Sequence, residues 1–486
     1  MPSSKILSPL MIQGCTSDAG KSYLVAGFCR LYANRGIRVA PFKAQNMSNN
    51  AGVTPEGGEI GRAQLLQAQA ARIAPDVHMN PVLLKPEADS RSQVIVLGKS
   101  NPKLQAIPWQ SRKMHLWETV KDSLALTQDR YDLLIIEGAG SPAEINLRAG
   151  DIVNMSVALQ AQAKVLLASD IDRGGAFAHL LGTWHCLAEN ERAKLIGFIL
   201  NKFRGDASLL GNAMEWLEEK TQIPTLGIVP MLNLPLPDED AYSHKTVVSH
   251  NTKPEIAIII TPYMSNFDEF DALVNEPAVQ VNFVREVSDL NQVAAVILPG
   301  SKHVSHDLNF LKQQGFAAKI HQLAAQGTQI LGVCGGMQML GKTLLDPHGL
   351  EGGYTSDGLG LLAISTTLEA IKTTQQTRAT LIESGAQVTG YEIHHGKTTA
   401  DAGTKPYLRN QQGDVIGYVQ GNIAGMYAHG LFDNGVYRQA FLSRLGVEAE
   451  SGEWSDQVDA ALNTLALHLE THCDMNAIDR AIGLID

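Results

Sequence analysis

Cys334 is the residue whose surroundings point most directly to chemistry. It follows the apolar run QILGV (residues 329–333) and precedes two glycines, after which a helical pattern begins. A cysteine at such a strand–turn–helix bend lies near a helix N-terminus, whose backbone N–H groups favour a thiolate and a developing oxyanion. Most cysteines after an apolar strand are small buried hydrophobes instead. The prediction of a nucleophile therefore depends on what the rest of the chain places beside the sulfur.

A second stretch, GCTSDAGKS from Gly14 to Ser22, has the composition of a phosphate-binding loop. The glycines Gly14 and Gly20 let the backbone curl so that its N–H groups face an anion. Lys21 supplies a mobile positive charge, and Ser22 supplies a hydroxyl for a magnesium ion. Because an apolar strand precedes the loop and a helical pattern follows it, the sequence predicts a site for nucleotide phosphates.

An acid ends the clearest buried strand of the N-terminal half. Residues 132–136 read DLLII, and Glu137 follows them directly, before a run of small residues. A carboxylate at the carboxyl end of a parallel strand would face the phosphate loop, where its oxygens suit Mg²⁺. We therefore predict Ser22 and Glu137 as metal ligands. We assign no ligand to the asparagine-rich residues 43–50, which follow another strand.

Apolar segments alternate with helical patterns along most of the chain, as in α/β proteins with parallel sheets. Between residues 234 and 254 the alternation stops, and Pro, Asp, His, Ser and Thr dominate without periodicity. Helices are predicted over residues 23–35, 59–73, 437–445 and 456–471. We expect a first domain over residues 1–235, a linker over 236–253, a second domain over 254–445 and a C-terminal helical extension over 446–486.

Composition and charge exclude several classes of protein. The 486 residues are 44% hydrophobic and 18% charged, as is typical of globular domains. A formal net charge of −11 argues against a general nucleic-acid binder and against a binder of anionic membranes. The five cysteines are widely spaced and lack a CxxC pair, which favours a reducing, cytoplasmic location without disulfides. No signal peptide or membrane-spanning run is predicted.

One region of the N-terminal half is richer in positive charge than the chain as a whole. Two interpretations stay open: ordinary surface charge, or a clamp for a substrate that carries several carboxylates. The cations concerned are Lys43, Arg62, Arg72, Lys85 and Arg91.

The order of Gly300 after a buried strand, Cys334 at a bend and His429 in a glycine-flanked loop resembles the class I glutamine amidotransferases. These domains have a flavodoxin-like α/β fold. The resemblance implies that Cys334 is the nucleophile, that His429 is its base, and that Gly300 and Gly335 form the oxyanion hole. Leu431 lies where such domains usually carry a glutamate. His429 is therefore expected either to lack a carboxylate partner or to take one from elsewhere in the chain, and a Cys–His pair can work without one.

The N-terminal half resembles dethiobiotin synthetase and its P-loop relatives, which implies that Asn201 reads the adenine of ATP. Five motifs together resemble the cobyric acid synthase family: residues 14–22, 42–50, 170–175, 300–302 and 429–433. This resemblance implies an enzyme that binds ATP, Mg²⁺, L-glutamine and a corrinoid. Such an enzyme amidates the b, d, e and g carboxylates of adenosylcobyrinic acid a,c-diamide through an acyl phosphate, with ammonia from glutamine.

Two other functions remain open. Cobyrinic acid a,c-diamide synthases perform the same chemistry on an earlier intermediate, but their phosphate domain normally has aspartates where this chain has QNMSN (residues 45–49). A partitioning or regulatory P-loop ATPase with a degenerate amidotransferase domain would bind partners and hydrolyse no glutamine. Glutamine hydrolysis therefore separates the enzymes from the binding module. The sequence predicts no particular oligomeric state.

Overall fold

Two large β-sheets, each built around parallel strands, organise the chain. The computed structural model describes residues 7–88, 91–237, 253–353, 355–449 and 452–486. The predicted α/β class, with one sheet in each half, is confirmed. The predicted linker over residues 236–253 lies almost entirely outside the described residues, so the domain boundaries stay predictions.

The strands of the N-terminal half alternate with helices. The strands are β1 (Leu10–Gly14), β2 (Val39–Phe42), β3 (Gln45–Met47), β4 (Ala51–Val53), β5 (Glu59–Gly61), β6 (Val82–Ala88), β7 (Arg91–Val96), β8 (Lys99–Ser100), β9 (Leu133–Glu137), β10 (Lys164–Asp170), β11 (Leu195–Phe203) and β12 (Thr225–Pro230). The main sheet has the order β12-β11-β10-β1-β9-β2, and its strands are parallel. A smaller sheet, β3-β6-β7-β8, and the hairpin β4–β5 lie outside it.

Helices cover both faces of this main sheet. The helices of the N-terminal half are α1 (Lys21–Asn34), α2 (Arg62–Ala70), α3 (Pro102–Gln105), α4 (Trp109–Arg130), α5 (Met155–Ala161), α6 (Ala176–Cys186), α7 (Glu189–Arg192) and α8 (Ala213–Thr221). Leu10 and Ile12 belong to the hydrophobic cluster that includes α1, whereas Met11 between them belongs to the cluster that includes α4. Because both faces are covered, the strands are continuously apolar.

The parallel arrangement brings polar residues to one edge of the sheet. The carboxyl ends of β1, β9 and β10 place Gly14, Glu137 and Asp170 at that edge. The helix predicted over residues 59–73 was wrong at its start, because residues 59–61 form β5 and pair with β4. Glu59 is buried against lysine side chains, and these ion pairs stabilise the extended conformation there.

The C-terminal half has its own sheet. Its strands and those beside it are β13 (Glu255–Ile259), β14 (Met264–Ser265), β15 (Gln280–Val284), β16 (Ala295–Leu298), β17 (Gly300–Ser301), β18 (Gln329–Val333), β19 (Thr343–Leu345), β20 (Ser356–Asp357), β21 (Ile364–Leu381), β22 (Gln387–Ala400), β23 (Lys405–Asn410), β24 (Val415–Gln420) and β25 (Ile423–Met426). Strands β15-β13-β16-β18-β25 are parallel. The long antiparallel hairpin β21–β22 extends the sheet. It was not predicted, because its Thr- and Gln-rich strands are largely half-exposed.

Helices at the end of the chain pack against the N-terminal half. The helices of the C-terminal half are α9 (Asp271–Val274), α10 (Val304–Gln313), α11 (Phe316–Ala325), α12 (Gly335–Leu340), α13 (Gly435–Ser443), α14 (Trp454–His472) and α15 (Met475–Ile482). The helices predicted over residues 437–445 and 456–471 are confirmed as α13 and α14. Helix α14 packs on α1 so closely that a Cβ added to Gly27 would lie 2.4 Å from Leu469 Cδ1. The C-terminal extension therefore covers the N-terminal half.

Two bulk predictions concern thiols and membranes. All five cysteines are free thiols in the structure. Within the described ranges, no helix has both the length and the apolar character needed to cross a membrane.

Arg30 provides a test of the contact between α1 and α14. Its buried guanidinium lies 2.6 Å from Asp459 and donates to the carbonyl oxygens of Gln69 and Ala70. We expect Arg30→Leu to lower the free energy of unfolding by about 2 kcal/mol, because the buried carbonyl of Ala70 loses its donor and Asp459 of α14 loses its ion-pair partner. Urea denaturation followed by tryptophan fluorescence measures the loss. Arg72→Leu removes a half-exposed partner of the same aspartate, and an equal loss in that control would contradict the assignment.

Candidate functional site

Cys334 lies at a strained bend between β18 and α12. Its φ of 50° and ψ of −106° fall in a region that residues other than glycine rarely adopt. Its backbone N–H donates to the carbonyl oxygen of Met426 at 2.7 Å, which ties the bend to β25. A Cβ added to Gly336 would lie 2.0 Å from the carbonyl oxygen of Leu298, so the approach of α12 to β16 requires glycine. The predicted strand–turn–helix bend is confirmed.

His429 follows β25 and lies beside Cys334. Strands β25 and β18 are parallel neighbours, so their carboxyl ends bring the two side chains to one edge of the sheet. The imidazole is 2% exposed and stacks on the ring of Tyr391, with 5.3 Å between centroids. The Sγ of Cys334 donates to the carbonyl oxygen of Ile393 at 3.7 Å. Backbone hydrogen bonds run in both directions between His429 and Tyr391. The structure thus brings together two residues that the sequence singled out.

Glu269 supplies the carboxylate partner that Leu431 does not. Its Oε1 lies 3.0 Å from His429 Nδ1, and its Oε2 accepts a hydrogen bond from the backbone N–H of Gly430 at 3.3 Å. It lies in the 3₁₀ turn Phe267–Phe270, which follows β14. Leu431 packs into the hydrophobic core. Sequence reasoning missed Glu269, because no motif marks it and 160 residues separate it from His429.

Two neighbours set the charge of this buried histidine. Burial lowers the pKa of His429, but the electrostatic influence of Glu269 and Cys334 and the hydrogen bond with Glu269 outweigh burial and raise it to about 10. The imidazolium is therefore the stable form at neutral pH, and its ring N–H can protonate a leaving amine.

Gly300 and Gly335 lie at the same bend. Gly300 begins β17, and a Cβ there would lie 3.1 Å from His429 Cε1. Gly335 begins α12, and a Cβ there would lie 2.8 Å from the backbone nitrogen of Ser301. Gly335 therefore needs to be glycine for the close approach of the two loops, and a side chain at Gly300 would press on the imidazole of His429. Their role as the oxyanion hole stays a prediction.

The phosphate-binding loop lies between β1 and α1, at the carboxyl edge of the first sheet. Gly20 adopts a φ of 82° as the chain enters the helix. Lys21 Nζ lies 3.0 Å from the carbonyl oxygens of Thr16 and Ser17. It also lies 3.3 Å from that of Gly140. The ammonium group is therefore held against the loop, as expected of a lysine that binds nucleotide phosphates.

Glu137 and Ser22 lie side by side next to this loop. Ser22 Oγ donates to Glu137 Oε1 at 2.8 Å, and Lys43 Nζ lies 2.8 Å from the same oxygen. The side-chain amide of Gln67 donates to the other carboxylate oxygen. Burial raises the pKa of Glu137, but the charge of Lys43 and these hydrogen bonds lower it overall. The carboxylate is therefore ionised at neutral pH.

The predicted magnesium ligands are close enough to share one cation. A hydroxyl and a carboxylate oxygen 2.8 Å apart are the hard donors that Mg²⁺ prefers. Among the described residues, no group of three or more His, Cys, Asp or Glu side chains could hold a metal ion. A magnesium ion here would therefore take its other ligands from phosphates and water. A cavity of about 580 Å³ at the loop is lined by Lys21, Ser22, Lys43 and Glu137, among others.

Asn201, the predicted adenine contact, supports the phosphate-binding loop. Its Nδ2 donates to the carbonyl oxygen of Ala19 at 2.8 Å. The same nitrogen lies 2.3 Å from the position of a Cβ added to Gly20, so a larger residue there would displace it. A contact between Asn201 and adenine stays a prediction.

The cation-rich region does not form one exposed clamp. Four of its members pair with carboxylates of the protein: Lys43–Glu137, Arg62–Asp268, Arg72–Asp459 and Lys85–Glu59. Lys43 and Lys85 are buried, because each neutralises an acid that is itself buried. The clamp hypothesis is therefore wrong for Lys85, whereas for Lys43, which lines the cavity at the phosphate-binding loop, it stays a prediction. The side chain of Arg91 lies outside the described residues.

Comparisons with known proteins match both halves of the chain. Residues 10–234 match the CobQ/CobB/MinD/ParA nucleotide binding domain, and residues 255–437 match the CobB/CobQ-like glutamine amidotransferase domain. A cobyric acid synthase of Deinococcus radiodurans is 51% identical over 95% of this chain and 98% of its own length. A cobyric acid synthase of a Caulobacter strain is 46% identical over 98% of this chain and 100% of its own length. One from an Acidovorax strain is 44% identical over 97% of each chain.

Glu269→Gln tests the assigned partner of His429. Glutamine keeps the size of the side chain but removes its charge, so the pKa of His429 falls. We expect kcat for glutamine hydrolysis to drop about 100-fold at neutral pH. The imidazolium is lost as pH rises through its pKa, so the alkaline limb of the pH–rate profile moves to lower pH. Glu255→Gln, on β13 of the same sheet, is the control. An unchanged rate and an unchanged alkaline limb would show that Glu269 plays no part.

Proposed function

Because the chain belongs to the cobyric acid synthase family, we propose that it amidates the b, d, e and g side-chain carboxylates of adenosylcobyrinic acid a,c-diamide. The product is adenosylcobyric acid. Enzymes of this family are glutamine-hydrolysing amidoligases, and so is this chain. Nitrogen comes from L-glutamine, and ATP activates each carboxylate as an acyl phosphate.

The observation that carries the proposal is that one chain joins two different sites. Cys334, His429 and Glu269 form a buried Cys–His–carboxylate arrangement in the C-terminal half. Lys21 and Glu137 lie at a phosphate-type loop in the N-terminal half. The first arrangement suits release of ammonia from an amide, and the second suits transfer of a phosphoryl group. Relatives that match almost the full length support the same pairing.

In the glutaminase half, the thiolate of Cys334 attacks the amide carbon of glutamine, and a C–S bond forms as negative charge moves to the oxygen. Gly300 and Gly335 would stabilise this oxyanion. When the tetrahedral species collapses, His429 gives its proton to the leaving nitrogen, and ammonia departs from a thioester. Water, deprotonated by His429, then attacks the thioester and releases glutamate and the thiolate. Glu269 holds the Nδ1 side of the ring throughout.

In the ligase half, a carboxylate oxygen of the corrinoid attacks the terminal phosphorus of ATP, and ADP leaves. Ammonia then attacks the acyl carbon of the resulting acyl phosphate, so that a C–N bond forms and phosphate leaves with the electrons of the C–O bond. Lys21 stabilises the charge that develops on the transferred phosphoryl group. Ser22 and Glu137 would hold Mg²⁺, which neutralises phosphate charge when bound.

Fusion of the two halves protects the nitrogen. Ammonia that escapes into neutral water is protonated and loses the lone pair that attacks the acyl phosphate. The halves are in direct contact, since the backbone N–H of Ala51 donates to Asn266 Oδ1 at 3.3 Å. The backbone N–H of Phe267 likewise donates to Asn50 Oδ1 at 3.3 Å. Asn266 and Phe267 precede Glu269 in the chain by only a few residues, so the contact between the halves adjoins the glutaminase site.

We favour this function over the two alternatives. The relatives that match nearly the full length are cobyric acid synthases, which favours the later corrinoid over cobyrinic acid itself. A non-catalytic binding module has no use for a buried, charged histidine between a thiol and a carboxylate. The free thiols support our placement of the reaction in the reducing cytoplasm.

Cys334→Ala separates the two sources of nitrogen. We expect glutamine-dependent amidation to fall about 1,000-fold or more, because the thioester cannot form. Amidation with added ammonium should stay within about twofold of wild type. Mass spectrometry of the corrinoid product, after incubation with Mg–ATP, measures both. Cys186→Ala, at a half-buried cysteine outside either site, is the control. Loss of both activities in Cys334→Ala would mean that this cysteine is structural.

Lys21→Ala should give the opposite pattern. Without its ammonium group the transferred phosphoryl loses a stabilising charge, so amidation should fall about 100-fold or more with either nitrogen source. The same product assay measures the change, with Lys194→Ala at an exposed contact as the control. Retained ammonia-dependent amidation in Lys21→Ala would refute the phosphate assignment.

A further inference from the structure

Three lysine side chains gather around one glutamate where the two halves of the chain meet. Glu59 and Lys85 belong to the N-terminal half, form an ion pair and are both buried. Lys372, on β21 of the C-terminal half, lies 2.7 Å from the other oxygen of Glu59. Lys302 follows β17, and the charges of Lys85, Lys372 and Glu59 all act on it. We name Lys85, Lys302 and Lys372 the lysine cluster.

The lysine cluster carries more positive charge than the protein balances. Glu59 is shared by Lys85 and Lys372, and in the described part of the chain no carboxylate forms an ion pair with Lys302. Burial and the charges of Lys85 and Lys372 lower the pKa of Lys302, because a proton there lacks a counterion. Burial and two of these lysines also lower the pKa of His395 nearby. Since buried charges in proteins are normally paired, the cluster favours the binding of an anion.

Two segments connect the lysine cluster to the catalytic pair. Lys302 is the second residue after Gly300, at which a Cβ would lie 3.1 Å from the imidazole of the catalytic histidine. His395 is the second residue after Ile393, whose carbonyl oxygen accepts a hydrogen bond from the sulfur of the catalytic cysteine at 3.7 Å. Two residues of chain span at most about 7 Å. The lysine cluster therefore adjoins the glutaminase site.

L-Glutamine carries a carboxylate at a matching distance from its reacting carbon. Four C–C bonds, about 5 Å when extended, separate its side-chain amide carbon from its α-carboxylate carbon. With its amide at the thiol, the substrate therefore reaches the segment that carries Lys302. Lys302 is half-buried and so open to a ligand, whereas Lys85 is fully buried. An arriving carboxylate favours the charged form of Lys302 and balances the cluster.

We propose that Lys302 binds the α-carboxylate of L-glutamine, and that the positive charge of Lys85 and Lys372 strengthens this contact. Lys302 is then a specificity-determining residue, because it selects glutamine with a free α-carboxylate. The proposal rests on the proposed function, since it takes Cys334 to hydrolyse glutamine. Glu59 and Lys85 belong to the ligase half, so the site for the carboxylate is shared between the two halves.

The corrinoid of the proposed function offers a carboxylate as well. Its acidic side chains have the same chemistry, and the lysine cluster lies at the contact between the halves. The short stretch of chain between Lys302 and Gly300 favours glutamine. The two sources differ in the KM that depends on Lys302: that for glutamine in hydrolysis without corrinoid, or that for the corrinoid in amidation with ammonium.

Lys302→Met in the full chain tests the proposal with two substrates: L-glutamine and L-glutamine α-amide, in which a neutral amide replaces the α-carboxylate. The measured quantity is ammonia release without corrinoid. We expect Lys302→Met to raise KM for L-glutamine about tenfold or more, with kcat within about threefold, because a charge-assisted hydrogen bond is lost. With the α-amide, wild type and Lys302→Met should have the same kcat/KM within about twofold, since the carboxylate is already absent. Lys302→Arg keeps the charge and should keep the preference for L-glutamine.

Lys342→Met is the matched control, because this lysine of the same half pairs with an exposed aspartate outside the lysine cluster. Ammonium-dependent amidation by each variant shows whether the chain is folded. Equal kcat/KM of the wild-type chain for the two substrates would overturn the proposal without any variant.

Three results with the variants would also overturn it. Lys302→Met could leave KM for glutamine unchanged, could lower kcat/KM equally for both substrates, or could raise KM for the corrinoid alone, which would assign the lysine cluster to the corrinoid. Lys302→Arg should then be no better than Lys302→Met. The proposed function fails in a different way: the wild-type chain would hydrolyse no glutamine, or Cys334→Ala would leave hydrolysis unchanged.

Discussion

The buried contact between His429 and Glu269 is the interaction on which the glutaminase site depends. A histidine this deeply buried would normally be neutral, because burial disfavours its charged form. The carboxylate on one side of the ring and the sulfur of Cys334 on the other reverse that preference. The result is a buried, charged imidazole that holds a proton at the same sheet edge as the sulfur.

Both centres arise from the same property of parallel sheets. Neighbouring parallel strands end at one edge, so residues far apart in the sequence meet there. In the first sheet, β1 and β9 bring the phosphate-binding loop to Glu137. In the second, β18 and β25 bring Cys334 to His429. The bend at Cys334 holds its backbone in a region that residues other than glycine rarely adopt. The close approach of α12 to β16 leaves no room for a side chain at Gly336.

What the sequence predicted correctly was local. The strand ends carrying Glu137 and Cys334 could be located because each apolar run is followed directly by a polar or small residue. Glu269 could not be located, because its role comes from a contact with a residue 160 positions away. The pair of Arg62 with Asp268 was missed for the same reason. The predicted start of α2 was wrong, because residues 59–61 form a strand. Buried ion pairs of Glu59 stabilise that strand, and no local sequence pattern encodes them.

The central claim is that nitrogen released at Cys334 is captured, within the same molecule, by a carboxylate activated beside Lys21. The most direct measurement supplies glutamine labelled with ¹⁵N in its side-chain amide, together with an excess of unlabelled ammonium, Mg–ATP and adenosylcobyrinic acid a,c-diamide. The account predicts that the new amides of the product carry the label in spite of the unlabelled ammonium. A product whose amides match the isotope content of the bulk ammonium would contradict it.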